Sequence, residues 1–362
     1  MKIRFTRLAS RITLASGSIG LALLFLLTLG TGLTYTQAAS TSSTTNLTTL
    51  PIVQSSEIIG APVNEGWLPE AILPSALGDH SIAVLDGKIH IVAGRDDNGP
   101  LTLHAAYDPQ TKGWQTLADL PVARSDASIA AVGGKLYVMG GYNENLGGAV
   151  NLNQVYDPAA NTWITATALI TSVSGAGVAV IDDLIYVIGG WDNQKESAQV
   201  QMYNPATDSW TLMPPMPIGR SEFGTAVLNH SVYLVGGNIA EMAVDYDVIV
   251  FDPVTGDWRR VAALPEARTG LTTVARDGKI YAIGGSLTWQ NAIAENTVFV
   301  YDPVSDAWSK DDPLLMPRRG CRAIVANNMI YVLGGFDLNG LSYASSESFG
   351  PLYSVYMPFV HR

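Results

Sequence analysis

A recurring pair of glycines leaves this chain very few folds to choose from. The pairs stand at Gly140-Gly141, Gly189-Gly190, Gly236-Gly237, Gly284-Gly285 and Gly334-Gly335, with a degenerate sixth, Ala93-Gly94, ahead of them. Successive pairs are roughly 50 residues apart, and a period of that size points to a repeat architecture before any other fold. Each pair closes a short strand of mostly apolar residues, as in Lys279-Ile280-Tyr281-Ala282-Ile283. A tight-turn dipeptide such as Asp86-Gly87 or Asp277-Gly278 precedes that strand, and a further apolar strand such as Ser128-Ile129-Ala130-Ala131-Val132 precedes such a turn.

After the glycines a third strand ends in Tyr107-Asp108-Pro109, Tyr156-Asp157-Pro158, Tyr203-Asn204-Pro205, Phe251-Asp252-Pro253 or Tyr301-Asp302-Pro303. The Asp-Pro or Asn-Pro step starts a turn. A fourth strand opens on Trp114, Trp163, Trp210, Trp258 or Trp308, each at the same distance beyond the aromatic. Four antiparallel strands per unit make one propeller blade. The Gly-Gly pair, then Tyr, then a fixed gap, then Trp resembles the kelch repeat, over 67–362. The resemblance implies an all-β, six-bladed kelch propeller. Blade 1 departs from the pattern at Ala93, and the last unit has Phe349-Gly350-Pro351 with Tyr356 in the tryptophan slot.

Ring closure can be read from spacing. The step from a blade tryptophan to the next glycine pair is constant: Trp114 to Gly140, Trp163 to Gly189, Trp210 to Gly236, Trp258 to Gly284 and Trp308 to Gly334. Trp67 stands the same distance before Ala93. It therefore marks a fourth strand without a blade of its own, and the expectation is that it completes the last blade and removes the exposed edges. The alternative is a closing strand at Leu352 to Met357.

Composition supports a packed domain: of 362 residues 47% are hydrophobic and only 15% charged, enough for a sizeable core. The formal net charge is −11, although the segment 1–38 contributes Lys2, Arg4, Arg7 and Arg11 and no acid. A body this acidic is repelled by phosphate backbones, so nucleic acid is not an expected partner. The single cysteine, Cys321, cannot form an intrachain disulfide, and the five histidines lack ligand spacing. Neither a metal nor a cofactor is expected. The basic start, the apolar run Ile19 to Leu27 and the small residues before Ala39 read as a secretory signal peptide over 1–38. The rival is an uncleaved anchor, since Ile12 to Leu33 could span a bilayer; cleavage is favoured. A Ser/Thr-rich linker follows over 39–66. The expected location is secreted, extracellular, periplasmic or at the cell surface, and the expected state a monomer that meets a membrane only through an uncleaved N-terminal segment.

Specificity is expected where the repeat varies. The connection from the second glycine to the aromatic differs in length between blades, shortest in blades 1 and 3 and longest in blade 5, while the other spacings are fixed. Those loops share one face of a propeller, and unequal loops on one face mark a binding face. Trp191, Trp289 and Tyr142 fall in them, outside the repeat register, as residues that stack on a ligand or pack locally. Arg124, Arg220, Arg268 and Arg318 occupy one common slot at a fixed distance before a glycine pair, with Leu77 and Val173 in the other two slots. In kelch binding modules, arginines at this position approach the central pocket, and the resemblance makes these four candidate contacts for carboxylates or acidic sugars. The alternative is that they hydrogen-bond carbonyls of an adjacent blade and only hold the ring. Asp96-Asp97-Asn98-Gly99, Asp192-Asn193 and Asp337-Leu338-Asn339-Gly340 read as turn formers ahead of calcium ligands.

Two kinds of enzyme share such a ring. Copper-radical sugar oxidases need a cysteine crosslinked to tyrosine among gathered histidines, which this pattern does not offer. Sialic-acid mutarotases are periplasmic kelch propellers of similar length, and that resemblance makes Glu222, next to Arg220, and Asp126 weak candidates for proton transfer. The primary expectation is a recognition module for protein or glycan acting through the loop face; the alternative is a carbohydrate isomerase.

Overall fold

The computed structural model describes residues 65–240, 243–289 and 293–351. The expected leader, most of the linker and the stretch from Leu352, with Tyr356, lie outside the described residues. Six four-stranded antiparallel sheets follow one another along the chain. Blade 1 is Ser81–Leu85, Lys88–Val92, His104–Asp108 and Gly113–Thr116, and blade 5 is Thr272–Arg276, Lys279–Ile283, Val298–Asp302 and Ala307–Asp311. The first strands touch one another around a complete circle, that of blade 6 (Arg322–Ala326) against that of blade 1.

Blade 6 takes its fourth strand from the other end of the propeller. Glu65–Pro69 pairs antiparallel with Ser346–Pro351, and Trp67 sits opposite Phe349. Trp67 reproduces the tryptophan chemistry of the other blades. Its ring lies 5.1 Å from that of Phe349, as Trp308 lies 5.2 Å from Tyr301. Its indole N–H donates to the Asp312 carbonyl of blade 5 at 2.9 Å. Trp163, Trp210 and Trp308 donate to the preceding blade in the same way. These tryptophans thus join neighbouring blades as well as packing in their own.

The second strands are not simply alternating. In Lys279–Ile283 the last four residues are all buried, because the blade has a neighbour on each side. Ile280 and Ala282 enter the core shared with blade 4, whereas Tyr281 and Ile283 enter the core shared with blade 6. Period-2 patterning sends successive side chains to opposite faces; here both faces are interior. Six such inter-blade clusters make up the core, the sixth joining Tyr331 and Leu333 to Ile89 and Ile91.

The first glycine of each pair has a backbone reason. Gly284 has φ 63°, where a side chain is disfavoured. A Cβ there would also stand 2.5 Å from the carbonyl oxygen of Arg318 in the next blade. The pair leaves room for neighbouring main chain.

Replacing Trp67 by Ala removes the wedge that closes the ring and should lower the unfolding free energy by about 3–5 kcal/mol. Ile72→Ala, a few residues on but 73% exposed, should change it by less than about 0.5 kcal/mol. Chemical denaturation of the two variants against wild type measures the difference.

Candidate functional site

Around the axis, two residues beyond each arginine slot, the chain makes one left-handed residue per blade. These are Asp79, Asp126, Gly175, Glu222, Gly270 and Gly320, with φ between 50° and 59°. Each amide donates to the carbonyl of the corresponding residue in the preceding blade, at 2.8 to 2.9 Å. Asp79 donates to Gly320, which closes the circle. Three of the six positions carry acids. Glycine costs nothing in this conformation, whereas a residue with a Cβ costs roughly 1–2 kcal/mol. Aspartate tolerates this conformation, so the strain falls chiefly on Glu222.

Above this ring opens a cavity of about 520 Å³, within the range of small-ligand sites. Its walls come from two further repeat positions. The residue after each arginine slot pairs with the residue after each glycine pair, for example Ser125 with Tyr142, Ser174 with Trp191 and Ser221 with Asn238. All six of those residues line the cavity, with Asp79, Asp126 and Glu222, with Arg95 and Arg319, and with Trp289 from the blade 5 loop. A smaller cavity of about 190 Å³ continues along the first strands, and Glu222 lines both.

The structure therefore brings together Tyr142, Trp191, Trp289, Asp126 and Glu222, the aromatic and acidic candidates from the sequence. It does not bring the arginines with them. Arg124, Arg220, Arg268 and Arg318 are at most 1% exposed. Their side chains turn back over their own blades. Arg220 and Arg318 each donate to the carbonyl of the first glycine in the pair that follows, Gly236 and Gly334. Arg124 donates to the Val138 carbonyl and to Gln154. Arg318 also binds the buried Glu347 carboxylate through Nε and Nη2 at 3.0 and 2.8 Å. Arg220 pairs with Asp245 at 2.9 Å and Arg268 with Glu266 at 2.9 Å. A guanidinium shut inside its blade meets no ligand, and Arg124, Arg220 and Arg318 brace the second-strand ends instead. That bracing lies within each blade, not across to a neighbour's carbonyls.

The cavity cations are Arg95 and Arg319, with Arg322 below. Arg95 Nε donates to Asp79 Oδ2 at 2.8 Å, and the Arg95 and Arg319 guanidinium carbons lie 4.4 and 5.1 Å from the Phe336 ring centroid. Ser125 Oγ donates to Asp126 Oδ2, and the nearest Arg322 nitrogen is 3.9 Å from Asp126 Oδ1. Burial, reinforced by the charges of Asp79 and Glu222, holds the Asp126 carboxyl well above the usual carboxylate range. Burial and Asp79 push Glu222 up to about 7, against the pull of Arg322, Arg95 and Arg319.

Other sequence candidates resolve into structure. Asp96 Oδ1 accepts from the Asn98 and Gly99 amides, Asp192 Oδ1 from Gln194 and Lys195, and Asp337 Oδ1 from Asn339 and Leu341. These are Asx turns. Cys321 is fully buried, and burial pushes its thiol up to about 11. Sequence reading passed over Asp79, Arg95, Asn238 and Arg319. The signal was available. Reading the residue after each glycine pair, and the residue two beyond each arginine slot, down all six repeats picks out the first three. Arg319 stands between the last arginine slot and Gly320.

Six four-stranded blades, repeat tryptophans bridging them and an axial pocket on the loop face define a six-bladed propeller of kelch type. The profile of the Attractin/LZTR1 beta-propeller family matches residues 79–343, and the chain belongs to that family. The fold is also that of the solved structure of YjhT, with a TM-score of 0.69 at 18% sequence identity, over 76% of this chain and 96% of that one. No curated protein sequence matches the chain.

Two measurements check these roles. Arg318→Ala strands the buried Glu347 charge, and should cost about 3–5 kcal/mol in denaturant unfolding. For Glu222, the folded protein keeps the carboxyl protonated up to about 7, while its ordinary value is 4.5. Between those values the folded state holds the extra proton. Its contribution to stability is full below the lower value and is lost as pH rises through the upper one. Thermal melts across that window should show stability falling with pH in wild type and a shallower slope in Glu222→Gln.

Proposed function

We propose that this propeller is a recognition module that binds a glycan in the axial pocket of its loop face. One observation carries the reading: three aromatic side chains, Tyr142, Trp191 and Trp289, line a cavity whose other walls are rich in hydroxyls, carboxylates and an amide. Sugar rings offer apolar C–H faces that stack on aromatics and hydroxyls that need acceptors around the edge. Trp289 and Tyr142 are 42% and 40% exposed, so their faces are open to a ligand. The N-terminal pattern supports presentation of the module outside the cytoplasm. A protein ligand would use the same loops and is the other outcome of the test.

A second reading, an isomerase acting at a sugar's anomeric carbon, rests on Glu222. Its pKa of about 7 suits a group that must both give and take a proton near neutral pH. It lies beside the Asp126 carboxyl, which burial holds above its ordinary range.

Screening the purified propeller on a glycan array should give binding that Trp191→Ala and Trp289→Ala each weaken about tenfold, near 1.4 kcal/mol. Trp289→Ala should melt as wild type does. Array binding untouched by both substitutions would overturn the pocket assignment. Loss of anomer interconversion, followed by NMR, in Glu222→Gln alone would favour the isomerase.

A further inference from the structure

The pocket is richer in acids than a neutral sugar requires. Its walls hold five carboxyl groups, Asp79, Asp126, Glu144, Glu196 and Glu222, against two guanidiniums, with a third, Arg322, lining the smaller cavity below. Both wall guanidiniums are engaged, Arg95 with Asp79 and Phe336, and Arg319 with Phe336. Among the described residues Asp126 Oδ1 has no hydrogen-bond donor, its nearest cation being Arg322 at 3.9 Å. A separate observation points the same way. Asn238 Oδ1 and Thr269 Oγ1, on residues that are each 2% exposed, also have no partner, and both residues line this cavity. Against these three oxygens the described wall has two unmatched donors, Arg319 Nε and the Thr269 hydroxyl itself, while the carboxylate and amide oxygens can only accept. Buried acceptors left unmatched cost about 1–3 kcal/mol each. The wall thus asks for a ligand rich in donors.

We propose that the ligand carries a primary ammonium group, seated between the Asp126 and Glu222 carboxylates and the aromatic rim, and that its source is an amino sugar. This rests on the glycan reading above. An ammonium brings three donors and no acceptor. It offsets the repulsion among the axial acids, and it is attracted to the faces of Trp191, Trp289 and Tyr142. The burial that keeps Asp126 and Glu222 from ionising freely is relieved by the same charge. An N-acetylated sugar loses the charge, replaces two donors with an acyl group, and leaves the acids unmatched. Discrimination against it is therefore built into the floor of the site.

The test is calorimetric titration near neutral pH with a glucosamine tetramer, an N-acetylglucosamine tetramer and a lysine tripeptide. The amino form should bind at least about tenfold more tightly than the acetylated form, a difference near 1.4 kcal/mol. Asp126→Asn and Glu222→Gln should each abolish that preference; Asn tolerates the left-handed backbone at 126. The wild-type preference is independent of whether either variant folds, and melting curves check that. Equal or tighter binding of the acetylated tetramer overturns the ammonium proposal and leaves glycan recognition standing. Binding of the peptide with neither sugar overturns the amino-sugar source and the glycan reading together. Binding of none of the three overturns the proposal.

Discussion

One inter-blade hydrogen bond, made six times, holds the propeller in register. The amide of the second residue in each glycine pair donates to the carbonyl of the residue that leads into the next blade. Gly94 donates to Arg124, Gly141 to Val173, Gly190 to Arg220, Gly237 to Arg268, Gly285 to Arg318 and Gly335 to Leu77. With the left-handed circle from Asp79 to Gly320, this makes two closed rings of main-chain bonds. In the five blades with a glycine first in the pair, a Cβ there would stand 2.4 to 2.6 Å from the accepting carbonyl oxygen. Because the acceptor is a carbonyl, the slot that supplies it can carry Arg, Leu or Val.

From that constraint the division of labour follows. The residues that repeat most faithfully are consumed by the frame. Arg124, Arg220 and Arg318 brace second-strand ends, Trp67, Trp163, Trp210 and Trp308 reach back to the preceding blade, and the apolar second strands feed two cores at once. The positions directly beside the rings are held just as rigidly, yet most of their side chains belong to no core. They gather around the axis, and there the repeat is free to vary: acids and glycines on the ring, and Arg95, Tyr142, Trp191, Asn238, Ser286 and Phe336 after the glycine pairs. A site built this way has precise geometry because it stands on main-chain bonds, and adjustable chemistry because only side chains differ between blades.

The acids illustrate how burial tunes such a site. Asp79 meets a fixed cation, Arg95, at 2.8 Å. Asp126 and Glu222 share a more distant one, Arg322, and are therefore dominated by desolvation. Carboxylates on one circle, separated by the spacing of blades, meet different charged neighbours because the side chains around them differ.

Much of the fold was legible in the chain alone. The period, the four-strand unit and the constant step from tryptophan to glycine pair placed six blades and assigned Trp67 to the last one, because those features are local and recur. Part of the candidate site was legible too: Tyr142, Trp191 and Trp289 stood out as aromatics outside the repeat's own tyrosine and tryptophan slots. The arginines misled because a position on a lead-in segment does not say whether its side chain turns outward to the pocket or back beneath its own sheet. That direction is set by the Gly236 or Gly334 carbonyl waiting at the strand end, and by distant partners such as Glu347. Likewise Asp79, Asp126 and Glu222 belong to three different repeats, and nothing local makes them a cluster. Repetition and closure are thus written along the chain, since each rests on spacing. Which side chains meet is settled only in the closed ring, where main-chain bonds carry one residue from every blade to a common axis.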